Sequence, residues 1–572
     1  MTKVETLIKQ TGATFTPSGL AEFLSEKIVE HLDDKDLTIL DPACGEGALL
    51  DSISKQLDVK NISHKLIGYD SNRNYLNTYK QSFKKNNKSI SLSLINEDFL
   101  ESIEPEKSQL ELSFEKMNES NINNSIDAII ANPPYVRTQI LGSDYAQILS
   151  KKFNLKGRVD LYYPFLIAMT HALKKDGILG VITSNRYLLT KSGNSVRKFL
   201  EENYEILEII DLGDTKLFDA AVLPAIFIGK KKENFKNTQT KFSKIYQELN
   251  GYKGDLFPAN GVYDILSNPK NGYFVANDKR YKKSSGEIKF FKTSKENIWT
   301  LLSKEEAKWI ESINSNSKNT VGDYFKVRVG IKTTADKVFI SDKWQEMGSE
   351  APEKELLRDL ISQQNIKTWN LCDKIKLKVL YPHFSKNGKK ETIILSKFPK
   401  AKNYLELHKT VLENRKYLID AGRKWFELWV PQNPLFWKMS KLVFPDISSE
   451  PRFYFDESGK IVNGNCYWIV AQNEEEKELL FLIQGVANSK LMTKYHDLMF
   501  NNKLYSGKRR YFSQYVQKYP LPDIKSKQAQ KIIDISKLLN SNNDEFEKTK
   551  LIEKLEIAVA KAFKVSPIFN LD

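Results

Sequence analysis

Cysteine is scarce in this chain. Only Cys44, Cys372 and Cys466 occur among 572 residues, far apart in sequence. No CxxC pair suggests a structural zinc site, and so odd and sparse a set suits a reducing compartment rather than a disulfide framework. Histidine is scarce as well; the six residues are not closely paired, so no His-based metal site is expected. Long apolar runs are missing, and none approaches the ~20 residues that span a bilayer. Residues 1–9 lack the basic-then-apolar pattern of a secretory signal. The expectation is a cytosolic protein with no metal and no membrane partner.

Acidic residues are in deficit. Asp and Glu number 72 against 87 Lys and Arg, giving a net charge of +15. A basic surplus favours polyanions, because bound phosphates release condensed counterions. Charge alone does not choose between DNA, RNA and a membrane surface. What remains is ordinary for a soluble globular chain: 41% hydrophobic and 28% charged residues. At ~100–200 residues per domain, the length favours at least two domains.

The first part reads as α/β. Short apolar runs alternate with amphipathic stretches, as parallel strands joined by helices do. Strands are expected at 38–42, 65–70, 91–96, 127–132, 178–183, 206–212 and 222–229. Helices are expected at 18–31, with Ser18 as N-cap, and at 48–57, 73–84, 161–174 and 191–203. Residues 101–125 read as a polar surface insertion, and 137–159 as a mobile substrate loop. The charged run from Lys230 to Asn234 suggests a boundary, which divides the chain into domains 1–240 and 241–572. The second ends in a helical tail at 525–563.

Four strand ends carry chemistry. Asn132-Pro133-Pro134-Tyr135 follows the apolar strand at 127–131, and strand C-termini in open α/β sheets build ligand sites. An exocyclic amine is a poor nucleophile, because its lone pair is delocalised into the ring. The Asn132 side-chain oxygen and the Pro133 carbonyl could accept its two N–H bonds and free that lone pair. Pro133 and Pro134 stiffen the turn that holds the acceptors, and Tyr135 could stack on the base. The plain alternative is a strand-to-loop turn, where Asn and Pro are common.

Asp41-Pro42-Ala43-Cys44-Gly45-Glu46-Gly47 ends the first strand. Gly45 and Gly47 allow a tight turn and close approach to a ligand. Asp70 ends the next strand, where a carboxylate can accept both ribose hydroxyls. The pattern is not GxGxxG, which disfavours NAD. Asp98-Phe99 ends the third strand, where Asp could take an adenine amino group and Phe could pack on the ring.

The order Thr14-Phe15-Thr16-Pro17, DPACGEG, Asp70, Glu97-Asp98-Phe99, NPPY resembles the gamma class of DNA adenine-N6 methyltransferases, and most closely its Taq-type branch. The resemblance implies a Rossmann-like class I methyltransferase domain with a C-terminal mixed α+β DNA-recognition domain. It implies S-adenosyl-L-methionine as cofactor. Thr16 would touch its methionine end; Asp41, Ala43, Gly45 and Gly47 would form the glycine loop. Asp70 would hold the ribose, Asp98 and Phe99 the adenine. Asn132 and Pro133 would border the cofactor, and Phe165, within Leu161-Tyr162-Tyr163-Pro164-Phe165-Leu166, would pack near it. Phe218, within Leu217-Phe218-Asp219, would join Tyr135 in stacking on a flipped adenine, although an aromatic there is more often a core residue.

Downstream, the stretch from Gly330 to Ile340 and the stretch from Tyr505 to Phe512 resemble segments of Taq-type specificity domains. They nominate Lys332, Lys508, Arg509 and Arg510 as DNA contacts; Arg415, Arg423, Lys424 and Trp425 are similar cases. A solvated basic edge is an equal alternative for each. The implied enzyme is a monomer acting on a short sequence in double-stranded DNA, in a bacterial or archaeal cytosol, with a separately encoded restriction endonuclease as partner. RNA or protein-glutamine methylation at the same tetrapeptide, and a non-catalytic DNA-binding subunit, remain the alternatives.

Overall fold

The structure is a computed structural model, and it describes residues 15–32, 36–86, 90–103, 122–135, 143–155, 160–218, 223–232, 239–248, 254–288, 298–372, 376–500 and 508–569. The chain forms two compact units, Met1–Lys304 and Glu305–Asp572. No described helix is long and apolar enough to cross a membrane.

Unit one is built on an eleven-stranded sheet. Its strands are β1 (Leu37–Asp41), β2 (His64–Tyr69), β3 (Ser91–Ile95), β4 (Ile126–Ala131), β5 (Leu173–Ser184), β6 (Tyr204–Asp211), β7 (Pro224–Lys231), β8 (Thr240–Glu248), β9 (Phe257–Pro258), β10 (Gly272–Ala276) and β11 (Lys279–Ile288). Their order is β3-β2-β1-β4-β5-β7-β6-β8-β11-β10-β9. Strands β1 to β5 run parallel, and β7 runs antiparallel between β5 and β6. All of β1 and most of β4 are buried, as expected where helices cover both faces of a parallel sheet. Alternate residues feed opposite layers. Ile39, Ala128, Ile130 and Ile182 pack with Leu24, Leu50 and Tyr79 on one face. Leu40, Ile129, Leu179 and Val181 pack with Phe165, Leu166 and Leu200 on the other. Strand order reverses between β1 and β4, which opens a ligand crevice at their carboxyl ends.

The expected strands of the first part all form, within a few residues. Three expectations need correction. Ser18 is not the N-cap: Pro17 holds that position with φ −60 and ψ 146, and Ser18 is the first helical residue of Ser18–Val29. The span 137–159 is not simply a loop: Ser143–Lys152 is a helix. Tyr145 and Leu149 of this helix and Phe153 just beyond it lie at i, i+4 and i+8, and Leu149 and Phe153 are buried in the core. The expected helical tail forms, as two helices, Lys527–Ser541 and Glu545–Ala562.

The third correction concerns the boundary. Residue 240 starts β8, which pairs in parallel with β6 from Glu208↔Lys241 to Asp211↔Lys244. Strand β11 then pairs antiparallel with β8 along its whole length. The sheet therefore runs on through residue 288, and unit one ends at Lys304 rather than near 240. The charged run at Lys230 marks the end of β7, not the end of a domain. Of the polar insertion at 101–125, residues 104–121 lie outside the described residues.

Unit two is mixed α+β. One four-stranded sheet joins Arg328–Val329, Cys466–Val470, Lys441–Pro445 and Tyr454–Asp456; another joins Ile340–Ser341, Lys378–Leu380, Leu357–Ile361 and Ile461–Val462. Helices Glu474–Ala487, Lys527–Ser541 and Glu545–Ala562 pack together.

A cut at residue 240 would bare the β6 edge, which is a template for aggregation. A fragment of residues 1–304 is expected to be soluble and to unfold in one cooperative step. A fragment of residues 1–240 is expected to aggregate. Denaturant melts and light scattering on the two fragments check this.

Candidate active site

The glycine turn leaves β1 at Asp41 and enters helix Ala48–Val59. Gly45 and Gly47 have φ of 52 and 86, values that favour glycine. At Gly47 the requirement is double, since a Cβ would lie 2.1 Å from the Tyr79 ring. At Gly45 nothing lies within 4 Å of that position, so the backbone is open to a ligand. Gly45 N–H donates to Asp70 Oδ2 at 2.9 Å, and Asn72 N–H donates to Asp70 Oδ1 at 2.7 Å. The expected ribose acid is thus tied to the glycine turn, and each oxygen keeps further acceptor capacity. Asp41 Oδ1 accepts Ala43 N–H at 3.0 Å. Burial, helped by the nearby Asp70 charge, pushes Asp41 up to about 8.

At the end of β3, Asp98 caps the short helix Phe99–Ser102 through Leu100 N–H. Its Oδ2 accepts the Tyr145 hydroxyl at 2.5 Å. Phe99 and Phe165 stack with centroids 6.1 Å apart and planes 18° apart, and Tyr69 meets Phe99 edge-on. The structure therefore gathers Asp98, Phe99 and Phe165. It adds Tyr145, which the sequence reading missed because it lies in the span read as a loop. Its signal was the i, i+4, i+8 stripe with Leu149 and Phe153.

Asn132 follows β4 and is 8% exposed. Its Nδ2 donates to Thr16 Oγ1 at 3.0 Å, and the Tyr135 hydroxyl donates to its Oδ1 at 2.8 Å. Pro133 is buried and Pro134 half-buried. The Tyr135 and Phe218 rings lie 6.4 Å apart at 63°. Phe218 is also packed in the core, so the bland role holds for much of its surface. At the end of β6, Asp211 is fully buried and accepts Asn185 Nδ2, Gly213 N–H and the Tyr246 hydroxyl at 3.0, 3.0 and 2.7 Å. This cluster joins the ends of β5, β6 and β8. No sequence motif announced it.

Of the proposed DNA contacts in unit two, Arg509 is a correction. It is buried and holds Asp497 in a bidentate pair at 2.6 and 2.8 Å, with a further bond to Ser449 O. Arg415 is also buried, on the carbonyls of Leu412, Thr333 and Glu427. Arg510 lies over the Phe512 ring at 4.8 Å, with Asp446 4.0 Å away. Lys332 and Lys508 are exposed.

The site in unit one fits an adenosyl cofactor. A backbone turn stands open at Gly45, carboxylates end β2 and β3, and Phe99 and Phe165 form an aromatic wall. Fold and site together define an S-adenosyl-L-methionine-dependent methyltransferase. Residues 28–218 match the Eco57I restriction-modification methylase family, and residues 372–521 match the TaqI-like C-terminal specificity domain. The Type II methyltransferase M.BanIII of Aneurinibacillus aneurinilyticus is 44% identical over 582 aligned positions, covering 99% of each chain. M.BstVI of Geobacillus stearothermophilus is 27% identical over 70% of this chain and 68% of its own. The solved structure of the Type IIL restriction-modification enzyme MmeI in complex with DNA has the same fold. Its TM-score is 0.61 over 97% of this chain and 73% of its own, at 14% identity. The chain belongs to the Type II DNA methyltransferases of restriction-modification systems.

Two outcomes are expected. Asp70→Ala removes charge-assisted bonds of about 1.5–3 kcal/mol, so cofactor affinity in calorimetry should fall by about tenfold or more. DNA affinity should change little. Arg509→Met leaves Asp497 without its cation and should cost about 3 kcal/mol of stability, read from the denaturant midpoint. Its selectivity among DNA sites should match that of the unaltered enzyme.

Proposed function

We propose that the enzyme transfers a methyl group to the exocyclic N6 amino group of an adenine flipped out of double-stranded DNA. The observation that carries this reading is the Asn132 amide. It sits at the β4 end of the crevice, oriented between Thr16 and Tyr135, with Tyr135 and Phe218 beside it. When bound, the cofactor supplies an electrophilic methyl group on a positively charged sulfur.

The chain's residues do the rest. Asn132 Oδ1 and the Pro133 carbonyl accept the two amine N–H bonds and favour the pyramidal, nucleophilic form. Tyr135 gives up its bond to Oδ1 and stacks on the base, while Phe218 borders it. A stacked N6 inside a duplex cannot align with the methyl group, so the base must leave the helix. In-line attack then needs reacting atoms about 3–3.5 Å apart. The amine proton leaves after transfer, so no strong general base is required. Unit two reads the sequence, with Lys332, Lys508 and Arg510 as candidate contacts. A separately encoded endonuclease that cleaves the unmodified site is the expected partner.

Mapping of N6-methyladenine in the genome of a methylation-free host that expresses the chain tests the product. Asn132→Ala should slow single-turnover methylation on the order of 100-fold, a loss of about 3 kcal/mol by analogy with oxyanion donors. DNA binding should persist. Tyr135→Ala should lose stacking of about 1–3 kcal/mol and brighten 2-aminopurine placed at the target. Tyr135→Phe keeps the ring and should retain base capture. Near-normal methylation by Asn132→Ala would end the amine-acceptor reading.

A further inference from the structure

We propose that Thr16 is a positioning residue for methyl transfer: it fixes which end of the Asn132 amide faces the target amine. This rests on the reading of Asn132 as the amine acceptor.

A side-chain amide carries an acceptor at one end and two donors at the other. Its terminal torsion is broad and roughly two-fold, so the covalent geometry does little to choose between them. A half-turn would aim N–H bonds at the N–H bonds of the target and remove the acceptor. The neighbours must choose. Thr16 Oγ1 accepts Nδ2–H at 3.0 Å and the Tyr135 hydroxyl donates to Oδ1 at 2.8 Å, so both ends of the amide are marked. The two marks differ in permanence. Tyr135 bonds the same oxygen that the target amine would use, and in the reading above it gives up that bond to stack on the base. Thr16 binds the far end of the amide and can stay throughout.

The backbone around Thr16 suits that task. Pro17 has φ −60, and its carbonyl accepts Leu20 N–H and Ala21 N–H, each at 3.0 Å, so Thr16 is anchored to the first turn of a helix. On its other side Phe15 packs edge-on to Tyr75 at 5.4 Å. Asn132 and Thr16 are 116 residues apart in sequence, so the bond ties the segment before the first helix to the end of β4. A hydroxyl that accepts one bond still has a proton to donate. The role is therefore compatible with a bond from Thr16 to the cofactor, and the experiment separates the two.

The test uses the full chain, saturating cofactor and a duplex carrying the mapped site. Thr16→Val keeps the shape and removes the acceptor; Thr16→Ser restores it. Thr16→Val should lower the single-turnover rate on the order of tenfold or more. The 2-aminopurine signal should not change, and Thr16→Ser should recover most of the lost rate. Cofactor affinity is measured separately by calorimetry without DNA. If Thr16→Val weakens only that affinity and turns over normally at saturation, the proposal is overturned and Thr16 serves the cofactor alone. A Thr16→Ser variant as slow as Thr16→Val would also overturn it. Thermal melts show whether Thr16→Val folds; Thr16→Ala replaces it if it does not. Failure of the underlying reading looks different: Asn132→Ala would then methylate normally, whatever the Thr16 series does.

Discussion

The parallel pairing of β1 with β4 is the constraint on which the rest of the site depends. Ile39 pairs with Ala128 and Leu40 with Ile129. That register brings the turn after Asp41 and the turn after Ala131 to one edge of the sheet. The helices that follow β1 and β4 lie on opposite faces, so nothing in the sheet fills the gap between the two turns. The DPACGEG turn and the NPPY turn are thereby neighbours although they lie far apart in sequence. Shifting either strand by one residue would turn every buried side chain to the wrong layer. The core itself thus holds the two turns in register.

Around that edge, carboxylates are buried or half-buried but tied. Asp70 ends β2 and grips the glycine turn; Asp98 ends β3 and grips Tyr145; Asp211 ends β6 and grips β5 and β8. An untied carboxylate in such places would cost several kcal/mol or take up a proton. Asp41 illustrates the intermediate case, with one backbone donor and a pKa pushed to about 8. A cationic ligand beside it would favour its ionised form. Strand ends, not loops, thus set both the geometry and the charge of the crevice.

Much of this edge was legible in the sequence, because its chemistry sits in short motifs at the ends of apolar runs. DPACGEG, Asp70, Asp98-Phe99 and NPPY each end a strand, and the structure gathers them. What was not legible depends on contacts distant in sequence. Strand β8, TKFSKIYQE, is partly polar and half-exposed in places, so its composition resembled a linker. Tyr145 lay in a span whose polar residues masked a helical stripe. Arg509 and Arg510 are adjacent, basic and flanked by aromatics. Nothing local says that Asp497 waits inside for the first while the second lies over Phe512. A basic-aromatic pattern marks a surface, but it does not say which way each side chain points.

The sheet extension gives the final step of the argument. A seven-stranded sheet ending at β6 would leave Asp211 on an edge strand, with solvent at its side. Strand β8 closes that edge and brings the Tyr246 hydroxyl to Asp211. The next residue, Gln247, donates its N–H to Asp214 Oδ1 at 2.7 Å. Both bonds fall on the segment that leads from β6 to Phe218. The strands beyond β6 therefore do more than lengthen the sheet. They bury the base of the loop that carries Phe218 and hold it against Tyr135. Rigid placement of aromatic walls lowers the ordering cost of binding a planar group against them. Four added strands, β8 to β11, in this way become part of what holds Phe218 beside Tyr135.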